Sequence, residues 1–157
     1  MRNCSFTKLF VVYPEFRYQL FYRLRQHSSL LRFLLKPLQL FNSLNLYFNC
    51  KNIEEGFFVE HGFATIIACK HIGKNCWINQ QVTIGYSDAL HCPYIGDNVE
   101  IKAGAKVIGD VYIGDDVIIG ANAVVVKDVP AHSIVVGVPA RVIKKRNSMS
   151  EPWKKVI

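Results

Sequence analysis

Six aliphatic residues, Ile95, Ile101, Val107, Ile113, Ile119 and Val125, recur at a strict six-residue spacing, a period that belongs to neither an α-helix nor a flat strand. A second register runs beside it, with Val99, Ala105, Val111, Val117, Ala123 and Val129 four residues after each. Residues two apart on a strand point the same way. Each small or β-branched residue and the aliphatic two places later therefore face inward, while the Gly, Asp and Asn between repeats turn a corner. Three such sides make a coil of about 18 residues, and stacked coils make a parallel β-helix.

Toward the N-terminus the rhythm continues through Ile84, Ile78 and Ile72, then, after one extra residue near Thr65, through Ile66, with Val59 and Ile53 before it. The pattern predicts a solenoid of about five coils over residues 50–143. Ile84 and Ile95 stand eleven positions apart where two repeats need twelve, and Tyr86, Ser87, Asp88, His91 and Pro93 lie between them. A loop is expected to leave the coil there, and loops on a rigid scaffold are where function concentrates.

Residues 1–49 read differently. Pro14 suits a first helical turn, and Phe16, Leu20 and Leu24 follow at helical spacing until His27-Ser28-Ser29. A second helical stretch is expected over about 29–35, and Pro37 can start a third through Leu38, Phe41 and Leu44. The division is a helical segment at 1–49, the β-helix at 50–143 and a basic tail at 144–157.

The 157 residues carry a formal net charge of +7, all of it from the two ends. Residues 1–47 hold seven Lys/Arg and one acid, residues 48–140 six against ten, and residues 141–157 six against one. Basic ends around a mildly acidic repeat suit phosphate-bearing ligands or an anionic surface, or are simply solvated. Arg17, Arg23, Arg25 and Arg32 on the amphipathic helices leave peripheral membrane contact open; no nucleic-acid partner is expected. Five cysteines, without a C-x-x-C pair, argue against a disulfide framework or zinc knuckle and for a reducing cytoplasm. No leader peptide and no apolar run long enough to span a membrane is expected.

The segment from His61 to Arg141, above all QVTIG at 81–85, IKAGAKVIGDVYIGDDVIIGANAVVVKDVP at 101–130 and VVGVPARVI at 135–143, resembles the hexapeptide-repeat acyltransferases, in particular the serine acetyltransferase branch. YPEFRYQLFYRLRQH at 13–27 is similar to the last helices before the β-helix in that branch. The resemblance implies a left-handed β-helix, a homotrimer, and acetyl-CoA as acetyl donor with no metal.

VEHGFATII at 59–67 lines up with the family segment that holds its catalytic histidine, which places the general base on His61. An imidazole, ordinarily titrating near about pH 6.5, can take the proton of an acceptor hydroxyl and return it to the departing thiolate. Glu60 could face the substrate, as the acid before that histidine does in the family. Gln80, one coil on, is expected beside His61, and the backbone at Gly85 is a candidate for oxyanion stabilisation. His91, in LHCPYIG, resembles the family's second active-site histidine, although Cys92 separates it from the proline. Cys92 itself reads more simply as a buried thiol than as a nucleophile. Coenzyme contacts carried over by position are the backbone at Ala103 and Ala121, with Lys127, Arg141, Lys144 and Lys145 for the phosphates.

The chain departs from the branch in two places. Leu46 stands where the family has the aspartate that orients its histidine, with Asn45 and Asn49 the nearest polar residues, and the upstream Asp-Pro motif is missing. The wording CPYIG at 92–96 also resembles short acetyltransferases that modify sugars in exopolysaccharide assembly. Three functions follow: serine O-acetylation in cysteine biosynthesis, O-acetylation of a sugar, or a non-catalytic β-helix scaffold. Serine acetyltransferases often end in isoleucine, so Ile157 on a mobile 147–157 tail is a candidate contact for a cysteine-synthesis partner enzyme.

Overall fold

The structure, a computed structural model, describes residues 5–27, 29–34 and 45–156 of the chain. Three helices come first: α1 (Phe6–Val12), α2 (Pro14–His27) and α3 (Ser29–Leu34). The third helix expected from Pro37 to Leu44 lies outside the described residues. The strands follow in order: β1 Tyr47–Ile53, β2 Phe58–Val59, β3 Ile66–Ile72, β4 Trp77–Ile78, β5 Thr83–Gly85, β6 Tyr94–Ile95, β7 Glu100–Ile101, β8 Lys106–Ile108, β9 Tyr112–Ile113, β10 Ile118–Ile119, β11 Val124–Val125, β12 Ser133–Val136, β13 Arg141–Lys145 and β14 Lys154–Lys155.

Strands β1–β12 stack in parallel as a β-solenoid of about five turns. Pairing defines three inward columns. Phe48, Ile67, Ile84, Val107 and Val125 share the first face, Ile53, Ile72, Ile95, Ile113 and Val129 the second, and Val59, Ile78, Ile101, Ile119 and Val135 the third. Most of them are fully buried. Burying each such side chain stabilises the fold by about 1.5–3 kcal/mol, which is why short two-residue strands suffice.

Two details of the register differ from the sequence reading. Ile67, not Ile66, faces the core, and Thr65 takes the small inward position two before it. Thr65 fits because its hydroxyl donates to the Phe63 carbonyl at 3.2 Å and the Asn79 carbonyl at 3.4 Å, so burial leaves no polar atom stranded. Ile84 and Ile95 sit on adjacent faces, in register with Val107 and Ile72. Their separation is a single corner enlarged by five residues, not two repeats short of one.

Helix α2 lies against the first coil. Tyr22 Oη donates to the Cys50 carbonyl at 2.7 Å and accepts from the Cys50 amide at 2.9 Å, while Tyr18 and Tyr22 pack on Phe48. The C-terminal end closes differently. β13 runs antiparallel to β12, and β14 to β13. Asp116, buried at a corner, accepts from Arg146 and from His132 at 2.8 Å, and Arg146 stacks over Trp153 at 4.1 Å. Burial pushes the Asp116 carboxyl up, but Arg146 and His132 outweigh it and hold the group below its ordinary value. Residues 147–156 are therefore folded back on the solenoid rather than free, and Ile157 lies outside the described residues. Among the described residues, no helix is long and apolar enough to cross a membrane.

Candidate active site

The corner between the third and first faces carries the histidine of greatest interest. In later coils it spans six positions, Ile78 to Ile84, Ile101 to Val107 and Ile119 to Val125, with one left-handed residue each, Gln81, Gly104 and Asn122. In the first coil, Val59 to Ile67 spans eight, and His61, Gly62 and Ala64 all have positive φ (62°, 24° and 50°). Such a conformation costs non-glycine residues of order 1–3 kcal/mol and persists only where surroundings impose it. Packing imposes it here: a Cβ on Gly62 would lie 3.0 Å from Glu15, 3.2 Å from Leu46 and 3.3 Å from Val59. Buried Leu46 supports the bulge sterically and supplies no carboxylate. His61 is thrown outward and exposed.

His61 borders a cavity of about 800 Å³ between α2 and the first coil, lined by Glu15, Gln19, Arg23, Glu60 and the rings of Tyr13, Phe16, Phe57, Phe58 and Trp77 among others. Glu60 is fixed there: its Oε2 accepts from Asn79 Nδ2 at 2.8 Å and Trp77 Nε1 at 3.2 Å, so Oε1 is left for a ligand. Glu15, which the sequence reading did not single out, is buried in the same wall. No local motif could have revealed it, because 46 positions separate it from His61.

Gln80, Ala103 and Ala121 follow His61 along this one corner, each a coil further on. Ladder pairing places Gln80 beside Ala103 and Ala103 beside Ala121. The two-residue bulge offsets His61 from Gln80, and no hydrogen bond joins them. The Gln80 Oε1 is buried and finds no partner among the described residues, an acceptor of the kind that normally meets a donor. At the far end, Lys127 and Arg141 border a smaller cavity of about 130 Å³. Lys144 and Lys145 are in β13, with Lys144 paired to Lys155.

His91 and Gly85 belong to a different corner. The enlarged loop holds His91, whose Nδ1 lies 2.6 Å from Asp88 Oδ2, while Asp88 Oδ1 accepts from the amides of Leu90 and His91 at 2.8 and 3.0 Å. The Leu90 amide, then the His91 ring and amide, depress the Asp88 carboxyl to about 2. This pairing fixes the His91 ring and turns Nε2 outward, so Asp88 is a second residue the sequence reading missed; its signal was the D-x-x-H spacing. Gly85 is buried at the end of β5, and a Cβ there would make only ordinary contacts at 3.8 Å. Within the chain the structure groups Glu60, His61, Gln80, Ala103 and Ala121, and leaves His91 and Gly85 apart from them.

Cys50, Cys69, Cys76 and Cys92 are buried, and no disulfide joins cysteines among the described residues. Burial pushes the Cys76 thiol up to about 11, away from the thiolate a nucleophile requires. Among the described residues no group of His, Cys, Asp and Glu is arranged to hold a metal ion.

Residues 92–127 match the family described as bacterial transferase hexapeptide (six repeats). A serine acetyltransferase of Staphylococcus aureus is 40% identical over 98 residues, covering 59% of this chain and 46% of the relative. A solved serine acetyltransferase in complex with cysteine superposes with a TM-score of 0.74 at 25% identity, over 88% of this chain and 58% of that one. Another, in complex with CoA, gives 0.67 at 26% identity, over 86% and 60%. The chain thus spans under half the length of that curated relative.

Proposed function

We propose that this chain, whose repeats and fold are those of the hexapeptide-repeat acyltransferases of the serine acetyltransferase branch, transfers acetyl from acetyl-CoA to an acceptor hydroxyl, that of L-serine first. The observation that carries this reading is the single corner on which His61 stands beside a large cavity and Gln80, Ala103 and Ala121 continue toward a basic end. A long, thin ligand fits such an edge. The small side chains at 103 and 121 let it lie against the backbone, and Lys127 and Arg141, which border the cavity at the far end, can pair with its phosphates. Bound there, the coenzyme supplies an activated acetyl thioester.

His61 acts as general base. Its imidazole takes the proton as the hydroxyl oxygen bonds to the acetyl carbon, and gives it to the sulfur as the C–S bond breaks. Acetyl moves, one proton shuttles, and no covalent enzyme intermediate forms. His91, oriented by Asp88, lies on another corner of the same protomer, so it and Gly85 meet His61 only if a second copy supplies them; a homotrimer answers this need. A reducing cytoplasm, where thiols are not oxidised to disulfides, suits this reading.

Sugar O-acetylation is a second reading, favoured by the volume of the cavity and by the Phe58 and Trp77 rings in its wall, 5.2 Å apart and edge to face. The experiment that decides is release of free CoA from acetyl-CoA by the purified protein, with L-serine in one set and sugars in another. Serine-dependent release supports serine O-acetylation, sugar-dependent release the alternative, and no affinity for acetyl-CoA would leave a scaffold.

A further inference from the structure

The helical end leaves large apolar side chains in water. On α3, Leu30, Phe33 and Leu34 stand three and four positions apart, which puts them on one face, and all three are exposed, Phe33 by 75%. On α1, Phe6, Val11 and Val12 are exposed as well, and Tyr13, which follows them, is both exposed and part of the cavity wall. Both helices pack on α2, α1 through Phe6 on Phe16 and Phe10 on Phe21. Clustered apolar surface of this kind marks a place where something docks. Charge identifies the partner. Residues 1–47 hold seven Lys/Arg, and their one acid, Glu15, is buried. Lys8 is exposed among the apolar residues of α1, and Arg17 donates to the Phe10 and Val11 carbonyls at 2.8 Å each, so its charge sits at the end of that helix. A second copy in a two-fold contact would set these cations against their own images. Residues 48–140 hold six Lys/Arg against ten acids, so an anionic surface attracts the helical end and repels the flank of the solenoid.

We propose that this end of the protein docks on an anionic lipid bilayer, with the apolar side chains of α1 and α3 in the headgroup region and Lys8 and Arg17 against the lipid phosphates. Among the described residues no helix is long and apolar enough to cross, so the contact is interfacial. The cavity that Tyr13 borders then lies close to the membrane surface.

The test is sedimentation of the full chain with vesicles of phosphatidylcholine alone and of phosphatidylcholine mixed with phosphatidylglycerol. The wild type should bind the mixed vesicles at least about tenfold more tightly than the neutral ones, and added salt should weaken that preference. Phe33→Asp should lower partition onto the mixed vesicles about tenfold, the loss of one buried ring. Lys8→Ala should lower it about fivefold, the factor that one cation contributes beside anionic lipid. Both side chains are exposed, so both variants should match the wild type in circular dichroism and melting. Lys154→Ala, in the basic tail at the other end of the chain, should leave partition unchanged. No binding, equal binding to both vesicles, or an equal loss in Lys8→Ala and Lys154→Ala overturns the proposal. So does a wild-type oligomer that Phe33→Asp takes apart while vesicle binding stays as it was, which would put a second copy on this face. Acetyl transfer is measured without vesicles, so neither result bears on the acyltransferase reading.

Discussion

The corner after Val59 and the corners after Ile101 and Ile119 do the same geometric job with different numbers of residues. Six positions with one left-handed residue are enough at the later corners, whereas the first uses eight with three. The later corners show what the backbone needs to turn; the surplus at the first is what it takes to push an imidazole out of the wall. Regular repeats thus supply rigidity, and the irregular corner beside α2 carries the proposed site.

If the regular coils are the rigid frame, damage there should cost stability before anything else. Ile101→Ala, at a fully buried position paired on both sides by β4 and β10, should lower the unfolding free energy in urea by about 2–5 kcal/mol. A smaller loss than a matching change in α2 would break the comparison.

The C-terminal closure is part of that frame. Asp116→Asn removes the charge that Arg146 and His132 share and should cost about 3 kcal/mol. Because the folded carboxyl is held below its ordinary value, its contribution is present above about pH 4 and is lost as pH falls through the depressed value. The gap between wild type and variant in urea melts should therefore close toward low pH.

Gly62→Ala probes the irregular corner. The new Cβ must share a positive φ with contacts at 3.0–3.3 Å to Glu15, Leu46 and Val59, so about 1–3 kcal/mol of stability should be lost. Acetyl transfer should fall more than acetyl-CoA affinity, since Ala103 and Ala121 lie coils away.

The strict repeat from Ile95 to Val125 made the solenoid legible because one residue type recurs where one geometry recurs. The same periodicity misled where spacing and geometry part. Eleven positions between Ile84 and Ile95 looked like two repeats short of one, although pairing makes them one corner with a loop. Ile66 and Ile67 are equally aliphatic, and only the length of the corner before them decides which faces inward. His61 and Glu60 were legible through a resembling segment. Glu15 was not, because a helix and a coil distant in sequence build that wall together; Asp88 was hidden in a loop whose fold no period describes.

The account rests on His61 as the base that opens the acceptor hydroxyl. The most direct measurement is the rate of CoA release from acetyl-CoA with L-serine by wild type and His61→Ala, with acetyl-CoA affinity measured on both. The account predicts turnover reduced by about 10²–10⁴-fold in the variant with affinity preserved; a variant that keeps most of its turnover would contradict it.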